Sequence, residues 1–71
     1  MKKVVDKDFM RNFTILRKRK GLSMAQLSKE TGLSRQVLYY YSSGVNFPKV
    51  EALEKLCKAL DCTKADFFKE E

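Results

Sequence analysis

From Phe9 onward the apolar residues fall three or four positions apart. Phe9, Phe13 and Leu16 come first, then Leu27, then Leu38 and Tyr41, and last Val50, Leu53, Leu56, Cys57 and Leu60. That spacing marks one face of an α-helix, and no stretch alternates apolar and polar residues as a half-buried strand does. The polar residues between these groups supply starts and stops. Gly21 ends a run that begins at Asp8. Ser23, with Gln26 three residues on, forms a capping-box pattern that opens a second run closed by Gly32, and Ser34 opens a third closed by Gly44. After Val45-Asn46-Phe47-Pro48 a fourth run covers 50–60, with Val50, Leu53, Leu56, Cys57 and Leu60 on its buried face. Thr63 and Asp66 repeat the capping-box spacing before a short fifth run bearing Phe67 and Phe68. The pattern predicts a compact all-α chain of five helices joined by loops of about two to six residues.

Seventy-one residues make one small domain with a marginal core. Residues 1–7 are expected to form a flexible basic tail, and 8–71 the domain. Charge is unevenly spread: residues 1–49 carry eleven basic and three acidic side chains, net +8, whereas 50–71 carry four and six, net −2. A positive field confined to the N-terminal part points to a polyanionic partner, nucleic acid before membrane. The opening MKKVVDKD has only Val4 and Val5 before Asp6, too little for a signal peptide, and no run approaches the ~20 apolar residues of a membrane span. The protein is therefore expected in the cytoplasm, with Cys57 and Cys62 reduced. Without histidine, two cysteines cannot complete a structural zinc site, so no metal or other cofactor is expected; Cys57 reads as a core thiol. An enzyme is disfavoured because no histidine base is present and neither cysteine has an evident basic cleft.

Only Gly32-Leu33-Ser34 separates the second and third runs, and so short a connection makes the two helices cross steeply as a helix-turn-helix. The crossing needs a small residue where the helices touch, and Ser28 is placed for it. The turn needs positive φ, which Gly32 tolerates. The third helix needs apolar residues facing back, and Leu38 and Tyr41 do so, with Leu33 plugging the turn. Tyr39, Tyr40 and Tyr41 point about 100° apart on a helix, so Tyr41 enters the core while the other two face outward. Arg35, Gln36, Tyr39, Tyr40 and Ser43 then share an outward face with no acidic residue. Arginine suits guanine, glutamine suits adenine, and rings can meet thymine methyls or sugars. Two exposed tyrosines also suit a protein interface.

The string LRKRKGLSMAQLSKETGLSRQVLYYYSSGVNFPKVEALEKLCKALDCTKADFF resembles the Cro and lambda-repressor type of helix-turn-helix, the XRE family of bacterial and phage transcription regulators. The matching residues are Leu16-Arg17, Gly21-Leu22-Ser23, Leu27, Gly32-Leu33-Ser34-Arg35, Leu38, Gly44, Pro48, Lys58-Ala59-Leu60, Asp61-Cys62-Thr63 and Phe67-Phe68, and the resemblance spans 9–68. It implies a five-helix lambda-repressor-like domain whose third helix enters the major groove of double-stranded DNA. It also implies a repressor that binds a palindromic operator as a homodimer. Base reading falls on Arg35, Gln36, Tyr39 and Tyr40. Phosphate contacts fall on Ser23 and Met24 at the start of the second helix, on Ser43, Asn46 and Lys49 after the third, and on Arg17. Two positions depart from the family pattern. Met24 replaces the glutamine that usually clamps a phosphate, and Ser42 replaces the glutamate that usually pairs with the helix-one arginine. Arg17 must then reach solvent, a backbone carbonyl or a phosphate. The alternative is an antitoxin-type interaction module that uses the same fold. No membrane partner is expected, and no small-molecule effector, for which so small a chain has little room.

Overall fold

The carboxylate of Asp6 accepts a hydrogen bond from the Phe9 N–H at 3.0 Å and so starts α1, Lys7–Lys20. In this computed structural model the described residues are 6–69. Most of the tail expected over 1–7 thus lies outside them. Its last two members, Asp6 and Lys7, are instead the cap and first residue of α1, because the aspartate satisfies an amide that the first helical turn leaves without a partner. Next come α2 (Met24–Thr31), α3 (Arg35–Ser43) and α4 (Val50–Leu60), then a 3-10 turn over Lys64–Phe68. The described residues contain no strand.

Each helix begins and ends where its side chains allow. The Ser23 hydroxyl accepts from the Gln26 N–H at 3.1 Å, and the Gln26 side chain returns the bond to the Ser23 N–H at 2.8 Å. Ser34 caps α3 by accepting from the Val37 N–H at 3.1 Å. Between α2 and α3, Gly32 sits at φ 78°, and a Cβ added there would meet nothing within 4 Å. Glycine is therefore needed for the left-handed backbone, not for space. Ser28 holds the same turn by donating from its hydroxyl to the Leu33 carbonyl at 2.6 Å.

The core gathers Phe9, Phe13 and Leu16 from α1, Leu27 from α2, Leu38 and Tyr41 from α3, Leu53, Leu56 and Leu60 from α4, and Phe67 from the turn. α1 packs on the turn, α3 and α4, while α2 packs on α3 and α4. The molecule measures 30 × 27 × 20 Å. At one end Phe9 is the hub of an aromatic cluster, with ring centroids 4.9 Å from Phe47, 5.1 Å from Phe67, 5.9 Å from Phe13 and 6.1 Å from Phe68.

Two expectations need correction. The fifth helix is a five-residue 3-10 turn. So short a run favours the tighter winding. Its far end is also held by α1, since the buried Asn12 amide donates to the carbonyls of Phe67 at 2.9 Å and Lys69 at 3.0 Å. Phe67 is buried and Phe68 exposed. Val50, expected on the buried face of α4, is 65% exposed. On the helical wheel it lies about 90° from the centre of the Leu53, Leu56 and Leu60 stripe, and at the first position of the helix no later turn brings cover over it. Asn12→Ala is expected to cost about 1–3 kcal/mol in a thermal melt, because it strips the buried Phe67 carbonyl of its donor, whereas the Lys69 carbonyl still accepts from Arg11 Nη2. An unchanged melting temperature would mean that water replaces the amide without loss.

Candidate nucleic-acid interface

The outward face of α3 meets the first turn of α2 across a groove of about 490 Å³, lined by Thr14, Arg17, Ser23, Met24, Ala25, Arg35, Tyr39 and Ser42. Two arginines and no carboxylate stand around it. At the start of α2 the capping box already uses the N–H groups of Ser23 and Gln26. The amides of Met24 and Ala25 are then the first-turn donors left for an anion, where the helix dipole also favours negative charge.

Met24 itself does not stand in for a polar clamp. Its side chain is half-buried and packed against the core, so its contribution at this position is the backbone amide. Ser23 stays exposed, and its hydroxyl proton is free to be donated because the oxygen serves the cap only as acceptor. Arg17 takes one of the three courses open to it: Nη1 donates to the Leu22 carbonyl at 2.8 Å. A guanidinium has five N–H donors, so this bond fixes Arg17 beside the groove while leaving donors over. Ser42 donates from its hydroxyl to the Tyr39 carbonyl at 3.0 Å and so is satisfied within its own helix.

Along α3, Arg35, Gln36 and Ser43 are exposed and Tyr39 is 55% exposed, whereas Tyr41 is 7% exposed and part of the core. Burial raises the Tyr41 hydroxyl above its ordinary pKa and keeps it neutral. Tyr40 departs from expectation: it is half-buried rather than fully outward. The chain folds back at this residue, with the N–H groups of Val45 and Asn46 both donating to its carbonyl, at 2.9 and 3.3 Å. In addition, Gln36 Nε2 donates to the Tyr40 hydroxyl at 2.8 Å.

Of the remaining expected contacts, Asn46 and Lys49 lie on the other flank of α3 and Ser43 stays on its outward face. Asn46 and Lys49 are exposed and line a second groove, of about 440 Å³, together with Leu33, Val37, Tyr41 and Phe47. Lys49 occupies the cap position of α4, where its ammonium, a donor only, cannot cap the helix. Ser43 donates weakly to the Tyr40 carbonyl at 3.4 Å. The expected contacts thus form three sets: Arg17, Ser23, Met24, Arg35 and Tyr39 around one groove, Gln36 and Tyr40 as a bonded pair, and Ser43, Asn46 and Lys49 beyond. Thr14 and Ala25 were not singled out from the sequence. Ala25 had one legible signal, a place in the first turn of α2 outside the capping box.

Away from this face, the described residues contain no cluster of three or more His, Cys, Asp or Glu side chains suited to a metal. Cys57 and Cys62 are half-buried. Burial is the main cause that raises both thiols, and it pushes Cys62 up to about 12, with neighbouring Cys57 adding to the shift. Such thiols stay protonated near neutral pH and are poor nucleophiles. No helix among the described residues is long and apolar enough to cross a membrane.

Four short helices, the second and third joined by a three-residue turn and the third flanked by a basic groove, define a helix-turn-helix protein. The helix-turn-helix family model matches residues 15–67. The restriction-modification controller protein C.AhdI from Aeromonas hydrophila is similar in structure, with a TM-score of 0.80 at 30% identity over 86% of this chain and 92% of that one. An HTH_3 family transcriptional regulator from Vibrio cholerae gives a TM-score of 0.78 at 28% identity, over 86% of this chain but 34% of the longer neighbour. Among curated proteins, none matches. The chain belongs to the XRE-type helix-turn-helix family of DNA-binding transcriptional regulators.

Proposed function

We propose that this protein is a repressor that binds a palindromic operator in double-stranded DNA as a homodimer and places α3 in the major groove of each half-site. The observation that carries this reading is the groove between α2 and α3, walled by Arg17 and Arg35, open to two free helix-start amides and without an acidic side chain. A phosphate seated there would be held by the Met24 and Ala25 N–H groups, the Ser23 hydroxyl and the remaining donors of Arg17. With that strand anchored, α3 is aimed along the groove. Arg35, Gln36 and Tyr39 meet base edges, with Tyr40 beside Gln36, and Ser43, Asn46 and Lys49 hold a phosphate on the far side. Repression follows from occupancy, because an operator covered by the dimer is closed to other proteins.

Two substitutions separate reading from anchoring. Gln36→Ala is expected to relax preference at one base pair per half-site, at a cost of about 1–3 kcal/mol, because a bidentate amide contact discriminates between bases. Lys49→Ala should weaken binding to all sequences alike and lower the salt slope by about one ion. Titrations of operator and random duplexes measure both, and equal losses on the two duplexes for Gln36→Ala would remove it from the readers.

The reading as a whole is tested by selecting bound sequences from a random duplex pool. The expected consensus is an inverted repeat whose half-site centres lie about 34–36 Å apart, one turn of DNA, or a multiple of it. A pool that never enriches would reject sequence-specific binding. The 55% exposure of Tyr39 favours one second reading, an antitoxin-type module whose tyrosine face grips a protein. Such a face would bind its partner with little dependence on salt.

A further inference from the structure

The bond from Gln36 Nε2 to the Tyr40 hydroxyl, 2.8 Å long, is a side-chain to side-chain contact on the DNA-facing surface of α3 between residues one turn apart. A glutamine has three rotatable bonds, and on an exposed helix its amide would sample many orientations. Here one of its two Nε2 hydrogens is committed to a phenol. That phenol belongs to a half-buried residue, whose carbonyl accepts from the Val45 and Asn46 N–H groups. What remains free at Gln36 is one N–H donor and the Oε1 acceptor. This is the pair of groups that meets the N7 acceptor and N6 donor of adenine in the major groove.

Resting on the base-reading role proposed above, we propose that Tyr40 is the positioning residue of the Gln36 reader. Its hydroxyl sets the amide with one donor and one acceptor outward, and the two side chains discriminate an adenine–thymine pair as a unit. Tyr40 thereby acts on specificity without a base contact of its own. One of the amide's bonds is already made in the free protein, so DNA bears less of the ordering cost on binding.

Tyr40→Phe is the informative change because it keeps the ring and its packing and removes only the hydroxyl. Affinities for operators carrying each of the four base pairs at the Gln36 position are measured for the parent, Tyr40→Phe, Gln36→Ala and the double variant. A thermal melt of each accompanies them. The expected result is a roughly 3- to 10-fold loss of the preference for adenine in Tyr40→Phe, the scale of one side chain left to be ordered on binding. Preferences at other positions and the salt slope should be unchanged, and there should be no further loss at this position when Gln36 is already alanine. In the free protein, the Gln36 Nε2 proton resonances should move in Tyr40→Phe. Full retention of the adenine preference in Tyr40→Phe, with Gln36→Ala losing it, overturns the pairing and leaves the reader intact. An equal loss with and without Gln36 overturns it in favour of direct reading by Tyr40. Unaltered preference in Gln36→Ala overturns both the pairing and the reading on which it rests.

Discussion

Phe9→Ala is expected to cost about 3–5 kcal/mol, the range for truncating a buried aromatic, and so to unfold much of the protein near room temperature. The ring is 1% exposed and touches four others. Through Phe47 it holds the loop before α4, and through Phe67 and Phe68 the 3-10 turn, so one deletion loosens both ends of α4. A domain of this size has little stability in reserve. Thermal or denaturant melts of Phe9→Ala beside Val50→Ala make the contrast. Val50, 65% exposed, should stay within about 0.5 kcal/mol of the parent. Similar losses for the two would show that the aromatic cluster is not the core's anchor.

Operator affinity is expected to fall about 100-fold as salt rises from about 50 to about 200 mM, the response of a dimer that neutralises about four phosphates. In the proposed complex Arg17, the two free amides of α2 and Ser23 would together hold one phosphate and Lys49 a second in each protomer, and two protomers would double them. The titration is run on operator and on random duplex, since phosphate contacts are shared by both and base contacts are not. A loss below about tenfold on the operator would place its affinity in apolar contacts of Tyr39 rather than in phosphates.

Much of this architecture was legible in the sequence because its signals are local. Ser23 with Gln26, Ser34, and Gly32 at φ 78° act within a few residues of themselves, so chain spacing alone located α2, the turn and α3. The burial of Leu27, Leu38 and Tyr41 followed from the same periodicity. What spacing reports, though, is direction around a helix axis, not what covers that direction. Val50 points a quarter turn away from the centre of the apolar stripe, and nothing lies over it. Tyr40 points away from the core yet is half-buried, and its hydroxyl accepts from Gln36 Nε2, which the periodicity does not report. The anchoring of Phe47 on Phe9 and of the last turn on Asn12 joins residues far apart in the chain, and no local pattern encodes that. Arg17 illustrates both sides. The missing glutamate at Ser42 was visible in the sequence, but the Leu22 carbonyl that replaces it became visible only in the folded turn after Gly21.

The central claim, that α3 lies in the major groove with Arg35 and Gln36 at base edges, is tested most directly by methylation interference on the selected operator. Methylation at guanine N7 blocks the major-groove edge that Arg35 would contact, whereas methylation at adenine N3 lies in the minor groove. The account predicts strong interference at one or more guanine N7 positions in each half-site and little at adenine N3, with the guanine signal lost in Arg35→Ala. Interference confined to adenine N3, or guanine signals that persist unchanged in Arg35→Ala, would contradict it.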